Sequence, residues 1–268
     1  MSDSISAFSA FAPLGRHNPR IQRVRRIGAR AEPHLTLLDG VTLIADVARR
    51  GAAILEIYGV AGQLDALLTI PAIARLSREG KVFAVDEQTA QRLAPTRHSQ
   101  GVIAIVEVPR RPLPASGVVV FLVDVQDPGN VGAVVRSAAA FGASGVACSP
   151  ACADPFSPRA LRASAGHALL VPVAAGADFV ALSAAVHAAG GSVAATASAS
   201  GVPIGRWRPS PPVLVVFGNE GAGLGAEVLD RCDVTVTIPI AAAVESLNMA
   251  VAAGIVLHAL ARPARGDS

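Results

Sequence analysis

GVVVFLVDVQDPGNVGAVVRSAAAFG, residues 117–142, contains the fold in miniature. Its first part, GVVVFLVDV (117–125), is a near-continuous apolar run rather than an alternating one. That is the pattern of a strand in a parallel sheet covered on both faces. Asp127-Pro128-Gly129 then turns the chain, and Asn130 is placed to cap a helix over Val131–Phe141. Strand, turn and helix in immediate succession predict an α/β domain with a parallel sheet.

The alternation continues downstream. Short strands are expected at Gly145–Cys148 and Leu169–Val173, a helix at Asp178–Ala189 and a strand at Ser192–Thr196. PPVLVVFG (211–218) is a second buried strand, followed by a glycine-rich loop. VTVTIPI then supplies a strand over Thr235–Ile240, and a helix of small apolar residues runs from Ser246 to about Leu260. Upstream, PRIQRVRRIGAR (19–30) places Ile21, Val24 and Ile27 on one helical stripe. LTLLD (35–39), AILEIYG (53–59), KVFAVD (81–86) and GVIAIVEV (101–108) are strands. GVTLIADVARRG (40–51) is a helix closed by glycine, and LDALLTIPAIARLSREG (64–80) is helical with a break at Pro71. PRRPLPAS (109–116) holds three prolines and opens no regular element, so it marks a boundary. The expected organisation is a flexible N-terminus over 1–18, a small α/β domain over 19–112 and a parallel-sheet domain over 113–268.

The bulk properties fit two domains in 268 residues, with 51% apolar residues, 25 glycines and 19 prolines. Apolar stretches are too short to span a bilayer, and the N-terminus has no signal-peptide layout. Three cysteines argue against a disulfide framework and for a cytoplasmic protein. Cys148 and Cys152 read as buried small hydrophobes, and no metal site is expected. The net charge of +3 is uneven: residues 1–112 carry 15 Lys and Arg against 10 Asp and Glu, and 113–268 carry 8 against 10. Six arginines lie between Arg16 and Arg30, an electrostatic footprint suited to nucleic acid. A solvated helix face would look the same. One Trp and one Tyr make a base-stacking platform a poor expectation.

Ligands of open α/β sheets sit at the carboxyl ends of strands, so the loops after the apolar runs matter most. Arg136 lies in an otherwise uncharged helix with small residues around it, room for a guanidinium to lie across a bare face. FGNEGAGLG (217–225) is neither a Walker loop nor a full dinucleotide fingerprint. Its glycines admit close backbone approach, and Glu220 is available as an acceptor. Ser246 is a good N-cap for the last helix, which would put Asn248 inside its first turn. Capping alone then leaves Asn248 unexplained, and a capping box would want Glu or Gln where Met249 stands.

Together, Asn-x5-Arg (130–136), Gly-Asn-Glu-Gly (218–221) and Ile-Pro-x6-Ser-Leu-Asn (238–248) resemble the three ordered motifs of the SpoU (TrmH-like) family of RNA ribose 2′-O-methyltransferases. RASAGHALLVPV (162–173) is similar to another segment of that family. NPRIQRVRRI, LLDGVTLIADVARRG and HSQGVIA (98–104) look like the substrate-binding domain of its ribosomal-RNA branch. The likeness covers roughly residues 17–262.

The resemblance implies a small N-terminal RNA-binding α/β domain, then a parallel-sheet α/β domain whose C-terminal segment forms a trefoil knot. It implies S-adenosylmethionine (S-adenosyl-L-methionine) held by Thr196, Ala197, Gly218, Asn219, Gly221, Ile238, Ser246 and Leu247. It implies a homodimer whose active site is completed by the partner subunit. Arg136 would act on the 2′-hydroxyl, with Asn130 and Glu220 orienting it and Ser246 and Asn248 hydrogen-bonding nearby. A guanidinium has a pKa above roughly 12, so stabilising the forming alkoxide and gripping a phosphate is physically cheaper than acting as base. Arg16, Arg20, Arg23, Arg26, His98 and Arg162 are the candidate RNA contacts. The expected substrate is structured RNA, 23S-type ribosomal RNA first. Transfer RNA is the alternative target, and a non-catalytic RNA-binding or ribosome-assembly protein the alternative class. An oxidoreductase lacks its loop chemistry.

Overall fold

The computed structural model of the chain describes residues 13–15, 17–95, 99–219 and 221–261. In chain order the first elements are α1 (Pro19–Gly28), β1 (Leu35–Asp39), α2 (Val41–Arg49), β2 (Ile54–Gly59), α3 (Ala61–Leu67), α4 (Pro71–Arg78), β3 (Val82–Ala84), α5 (Glu87–Leu93) and β4 (Val102–Glu107). Then come β5 (Val118–Leu122), α6 (Pro128–Ala140), β6 (Gly145–Cys148), α7 (Pro158–Ala163), β7 (Val173–Ala174), α8 (Phe179–Ala188) and β8 (Ser192–Ala197). The last are β9 (Val202–Pro203), β10 (Val213–Phe217), α9 (Ala226–Leu229), β11 (Val234–Thr237) and α10 (Met249–Leu260).

These elements form two compact units. One takes the chain up to Pro109 together with Phe156–Leu170; the other takes Arg110–Pro155 and everything from Val171. The first has a four-stranded sheet in the order β1-β4-β2-β3, antiparallel except for the β2–β3 pair. Helix α1 lays Ile21, Val24 and Ile27 onto Leu35 and Leu37 of β1, with Ala90 and Leu93 of α5 in the same cluster. LTLLD is buried along its whole length because helices also cover the other face, where α2 and α7 pack on β1. There Thr36 Oγ1 donates to Phe156 O at 2.6 Å, which satisfies a buried hydroxyl and ties the 156–170 stretch to this sheet. Leu14 belongs here too: its N–H donates to Ala84 O at 2.9 Å. The rest of the lead-in up to residue 12 lies outside the described residues.

The second unit is a seven-stranded sheet in the order β7-β6-β5-β10-β8-β11-β9, with every pair parallel. As their composition demanded, β5 and β10 are adjacent and buried at the centre. On one face Val119, Phe121, Val193, Leu214 and Val216 cluster with Val186 of α8, and Phe121 meets Phe179 edge-on at 5.2 Å. Separately, α10 packs along α6, where the small side chains of both permit close approach. Chain order and strand order part company here. β10 returns to lie between β5 and β8, and β11 enters between β8 and β9.

Several expectations change in detail. The helix after β5 begins at Pro128, not Val131, because Asp127 is its N-cap: its carboxylate accepts the N–H groups of Gly129 and Asn130. Asn130 is therefore inside the first turn rather than its cap. The strand expected at Leu169–Val173 is a 3-10 turn over His167–Leu169 followed by the two-residue β7. Left-handed Ala165 (φ 49°) and Gly166 (φ 76°) coil the chain there, so no ladder forms before Val173. The strand expected at Thr235–Ile240 spans Val234–Thr237. Helix α5, for which the sequence offered no periodic signal, is capped by Asp86, whose side chain accepts Thr89 N at 2.6 Å.

Candidate active site

The carboxyl ends of β8, β10 and β11 open on one side of the second sheet into a cavity of about 410 Å³. Thr196 and Ala197 close β8, and Gly218, Asn219 and Gly221 follow β10. Ile238 follows β11, and Ser246 and Leu247 precede α10. All eight side chains or backbones expected around one ligand thus line a single space. The walls beyond them are apolar: Leu224, Leu229, Val236, Met249 and Val256. These were missed in sequence because an isolated Leu or Met after a loop carries no signal apart from its neighbours.

Asn219 organises the glycine-rich loop. Its Oδ1 accepts Gly221 N at 2.8 Å and Ala222 N at 3.3 Å, and its Nδ2 donates to Asp124 O at 2.9 Å. Gly218 must be glycine because an added Cβ would stand 2.5 Å from the carbonyl carbon and oxygen of Gly223. Asp124, in turn, has φ 54°, a left-handed conformation that Asp tolerates better than most residues. Ser149 holds it from both ends, accepting Asp124 N at 3.0 Å and donating to Asp124 Oδ1 at 2.7 Å. Cys148 is buried as expected, whereas Cys152 is half-buried and polar in use: Val125 N donates to its sulfur at 3.3 Å. The loop after β5 is anchored at each step.

The first turns of α6 and α10 meet. Asn248, not Ser246, is the N-cap of α10: its Oδ1 accepts Ala250 N at 3.0 Å and Val251 N at 3.3 Å. Its Nδ2 donates to Asn130 Oδ1 at 3.2 Å. The two motif asparagines are therefore one hydrogen-bonded pair, and Ser246 is left exposed in the loop, on the cavity wall. The main chains of Ile238, Ile240, Ser246 and Leu247 make no hydrogen bond among the described residues. An apolar-walled space rimmed by unused backbone donors and acceptors suits a flat heteroaromatic ring joined to a polar chain.

Arg136 stands exposed on α6 and does not line the cavity, and its side chain makes no hydrogen bond or ion pair among the described residues. Glu220 lies outside the described residues, as do Arg16 and His98. The other candidate RNA contacts are in the first unit. Arg20 and Arg23 pair with Glu56 Oε1 at 3.5 and 3.1 Å, and Arg26 pairs with Glu32 at 3.8 Å. Arg162 is exposed on the last turn of α7. Next in sequence to His98, Ser99 Oγ donates to the buried Asp39 at 2.7 Å and Gln100 accepts Val41 N, so residues 99 and 100 are bound inward.

A family model described as SpoU rRNA Methylase family matches residues 117–258. The chain is 36% identical over 179 residues to an uncharacterized tRNA/rRNA methyltransferase of Synechocystis, a match spanning 66% of this chain and 65% of that one. It is 31% identical over 178 residues to the 23S rRNA (guanosine(2553)-2′-O)-methyltransferase RlmP of Bacillus subtilis, covering 66% of this chain and 71% of the relative. Among solved structures it is similar to an AdoMet-bound rRNA methyltransferase from Sinorhizobium meliloti, with TM-score 0.78, 30% identity and coverage of 91% and 95%.

Proposed function

The chain belongs to the SpoU rRNA methylase family, and from that premise we propose that it transfers a methyl group from S-adenosylmethionine to a ribose 2′-hydroxyl of RNA, with 23S-type ribosomal RNA as substrate. One observation carries this reading. The loops after β8, β10 and β11, two of them carrying motifs, converge on one cavity, and the asparagines of the first and third motifs join beside it across 118 positions. The relatives named above supply the RNA class, since one of them acts on 23S rRNA. With such a substrate the protein would work in the cytoplasm.

The cavity fits the methyl donor by the chemistry of its walls. Leu224, Met249 and Val256 offer apolar contact for an adenine ring, while the unused main-chain groups of Ile238, Ile240 and Leu247 offer its hydrogen bonds. Bound there, S-adenosylmethionine would supply an electrophilic methyl carbon on sulfonium. Ser246, exposed on the rim, is placed to hydrogen-bond near the reacting hydroxyl. The Asn130–Asn248 pair would hold the two helix N-termini in register, and their aligned N–H dipoles favour developing negative charge. Arg136 would stabilise the forming alkoxide and hold the adjacent phosphate, with Glu220 as its acceptor.

Because Arg136 is outside its own chain's cavity, we assign it to the cavity of a partner subunit. The apolar surface beside it supports a homodimer: Val251 is 52% and Ile255 38% exposed on α10, with Phe141 at the end of α6. The late insertion of β10 and β11 between earlier strands supports threading of the C-terminal segment as a trefoil knot.

The test uses purified protein and methyl-labelled S-adenosylmethionine with unmodified ribosomal RNA or transfer RNA, alongside Arg136→Ala. Alkali-resistant label in ribosomal RNA, absent with the variant, is the expected result. Label in transfer RNA alone would keep the reaction and overturn the substrate. Failure to bind the methyl donor would sink the enzyme assignment.

A further inference from the structure

Helix α1 has two polar flanks, and they differ in kind. Its buried stripe, Ile21, Val24 and Ile27, faces the core. Along one flank Arg20, Arg23 and Arg26 are paired with Glu56 and Glu32, and Arg20 also lies 4.5 Å from the Phe83 ring centre. Arg30, past the helix, donates to Leu35 O at 2.6 Å. These cations already serve the fold.

The other flank faces α5 across a cleft of about 370 Å³. Arg25 of α1 and Arg92 of α5 line it, with His17 and Gln22 beside them and Ile21 and Leu93 among the lining residues. Both arginines are exposed, and neither side chain makes a hydrogen bond or ion pair among the described residues. Among the described residues, no carboxylate lines the cleft. The acid that senses Arg92, Asp86, is engaged in capping α5 through Thr89 N. Two guanidiniums on one cleft with no carboxylate among its described lining residues repel each other, and an anion between them relieves that repulsion. A guanidinium fork matches phosphate oxygens two at a time.

We propose that the α1–α5 cleft of the first unit holds a backbone phosphate of the RNA substrate, gripped by Arg25 and Arg92. The idea rests on the RNA-methyltransferase reading and relocates the grip from the ion-paired flank to the α5 side. Recognition there is of charge and not of base, so it positions RNA without selecting sequence.

The experiment measures binding of a labelled 23S rRNA fragment to the full chain by anisotropy, over a series of salt concentrations. Wild type is compared with Arg25→Gln/Arg92→Gln and with Arg20→Gln/Arg26→Gln. Losing the contact to one phosphate should lower the log–log salt slope by about 0.7–0.9. The cleft variant, which loses that one phosphate, should therefore have a slope smaller by this amount and bind roughly tenfold more weakly at low salt, with melting temperature and S-adenosylmethionine affinity unchanged. The control pair should change the slope by less than half as much. An unchanged slope in the cleft variant overturns the proposal. Inorganic phosphate that displaces RNA beyond the effect of chloride at equal ionic strength would reassign the cleft to a free anion. A polyglutamate peptide competing as well as RNA would reassign it to an acidic protein. Methyl transfer by wild type with an unchanged variant slope leaves the enzyme standing and removes the cleft. An arginine-dependent slope without methyl transfer does the reverse.

Discussion

Asn248 Nδ2 lies 3.2 Å from Asn130 Oδ1, so one amide caps α10 with its oxygen and binds the first turn of α6 with its nitrogen. The two functions are separable by substitution. Asn248→Ala removes both and should cost about 1 kcal/mol of stability through the missing cap. Asn248→Asp keeps the cap acceptor but sets an oxygen against Asn130 Oδ1. Urea unfolding should place the Asp variant within about 0.5 kcal/mol of wild type, since Asn and Asp cap comparably. Methyl transfer should fall in both. An Asp variant with full turnover would show that the pair does not position the site.

Gly218→Ala should act on the cavity. The new Cβ would meet the Gly223 carbonyl at 2.5 Å and Leu224 N at 2.9 Å, both backbone, so the loop must move as a whole. Calorimetric titration should show S-adenosylmethionine binding weakened at least about tenfold, equivalent to ~1.4 kcal/mol. Gly225→Ala, with open space around its Cβ, is the control and should change little.

Gly166→Ala tests the first unit. Its φ of 76° and a Cβ 2.3 Å from Val47 Cγ1 impose strain and a clash together. Left-handed strain alone costs about 1–3 kcal/mol. Adding Val47→Ala should relieve the clash but not the backbone cost, so the double variant recovers only part of the loss. Denaturant unfolding of wild type, both single variants and the double variant measures that coupling. Strict additivity would mean that the 3-10 turn does not pack on α2.

Asp233 should contribute acid-sensitive stability to the second unit. Burial opposes its ionisation, but Val193 N at 2.7 Å and His187 Nε2 at 2.9 Å prevail and hold the carboxyl below its ordinary range. A depressed folded value means the stabilisation is present above the unfolded value of about 3.9 and is lost as pH falls through the folded one. With the Asp233 side chain 49% exposed, solvent screens much of the effect. Wild type should exceed Asp233→Asn in urea midpoint at neutral pH and converge with it in acid. A gap independent of pH would assign the difference to packing.

Much of the second unit was legible from local pattern. Unbroken apolar runs at 118–122 and 213–217 require cover on both faces, and a parallel sheet with flanking helices is what provides it. The eight residues expected around the cofactor do line one cavity, because strand ends in such a sheet all open on the same edge, whereas Asn130, Arg136 and Asn248 are not among its lining residues. Helix starts were less legible. Asp127 and Asn130 both cap well, as do Ser246 and Asn248, and propensity cannot choose between two good caps a few residues apart. The choice fell to the pair that lets Asn248 serve α10 and Asn130 at once.

By itself, the order of apolar runs determined the sheet type, and the residues of the three ordered motifs carried the family resemblance. Those features are periodic or contiguous, and burial acts on them wherever the chain goes. The tertiary structure alone decided which arginines of α1 are ion-paired, because Glu32 and Glu56 arrive from different parts of the chain. It alone placed residues 156–170 on the first sheet through Thr36 and Val47, and left Arg25 and Arg92 facing one cleft. A charge or a hydroxyl has no fixed partner until distant segments meet. Its free energy then depends on a distance of a few ångströms that no local pattern contains.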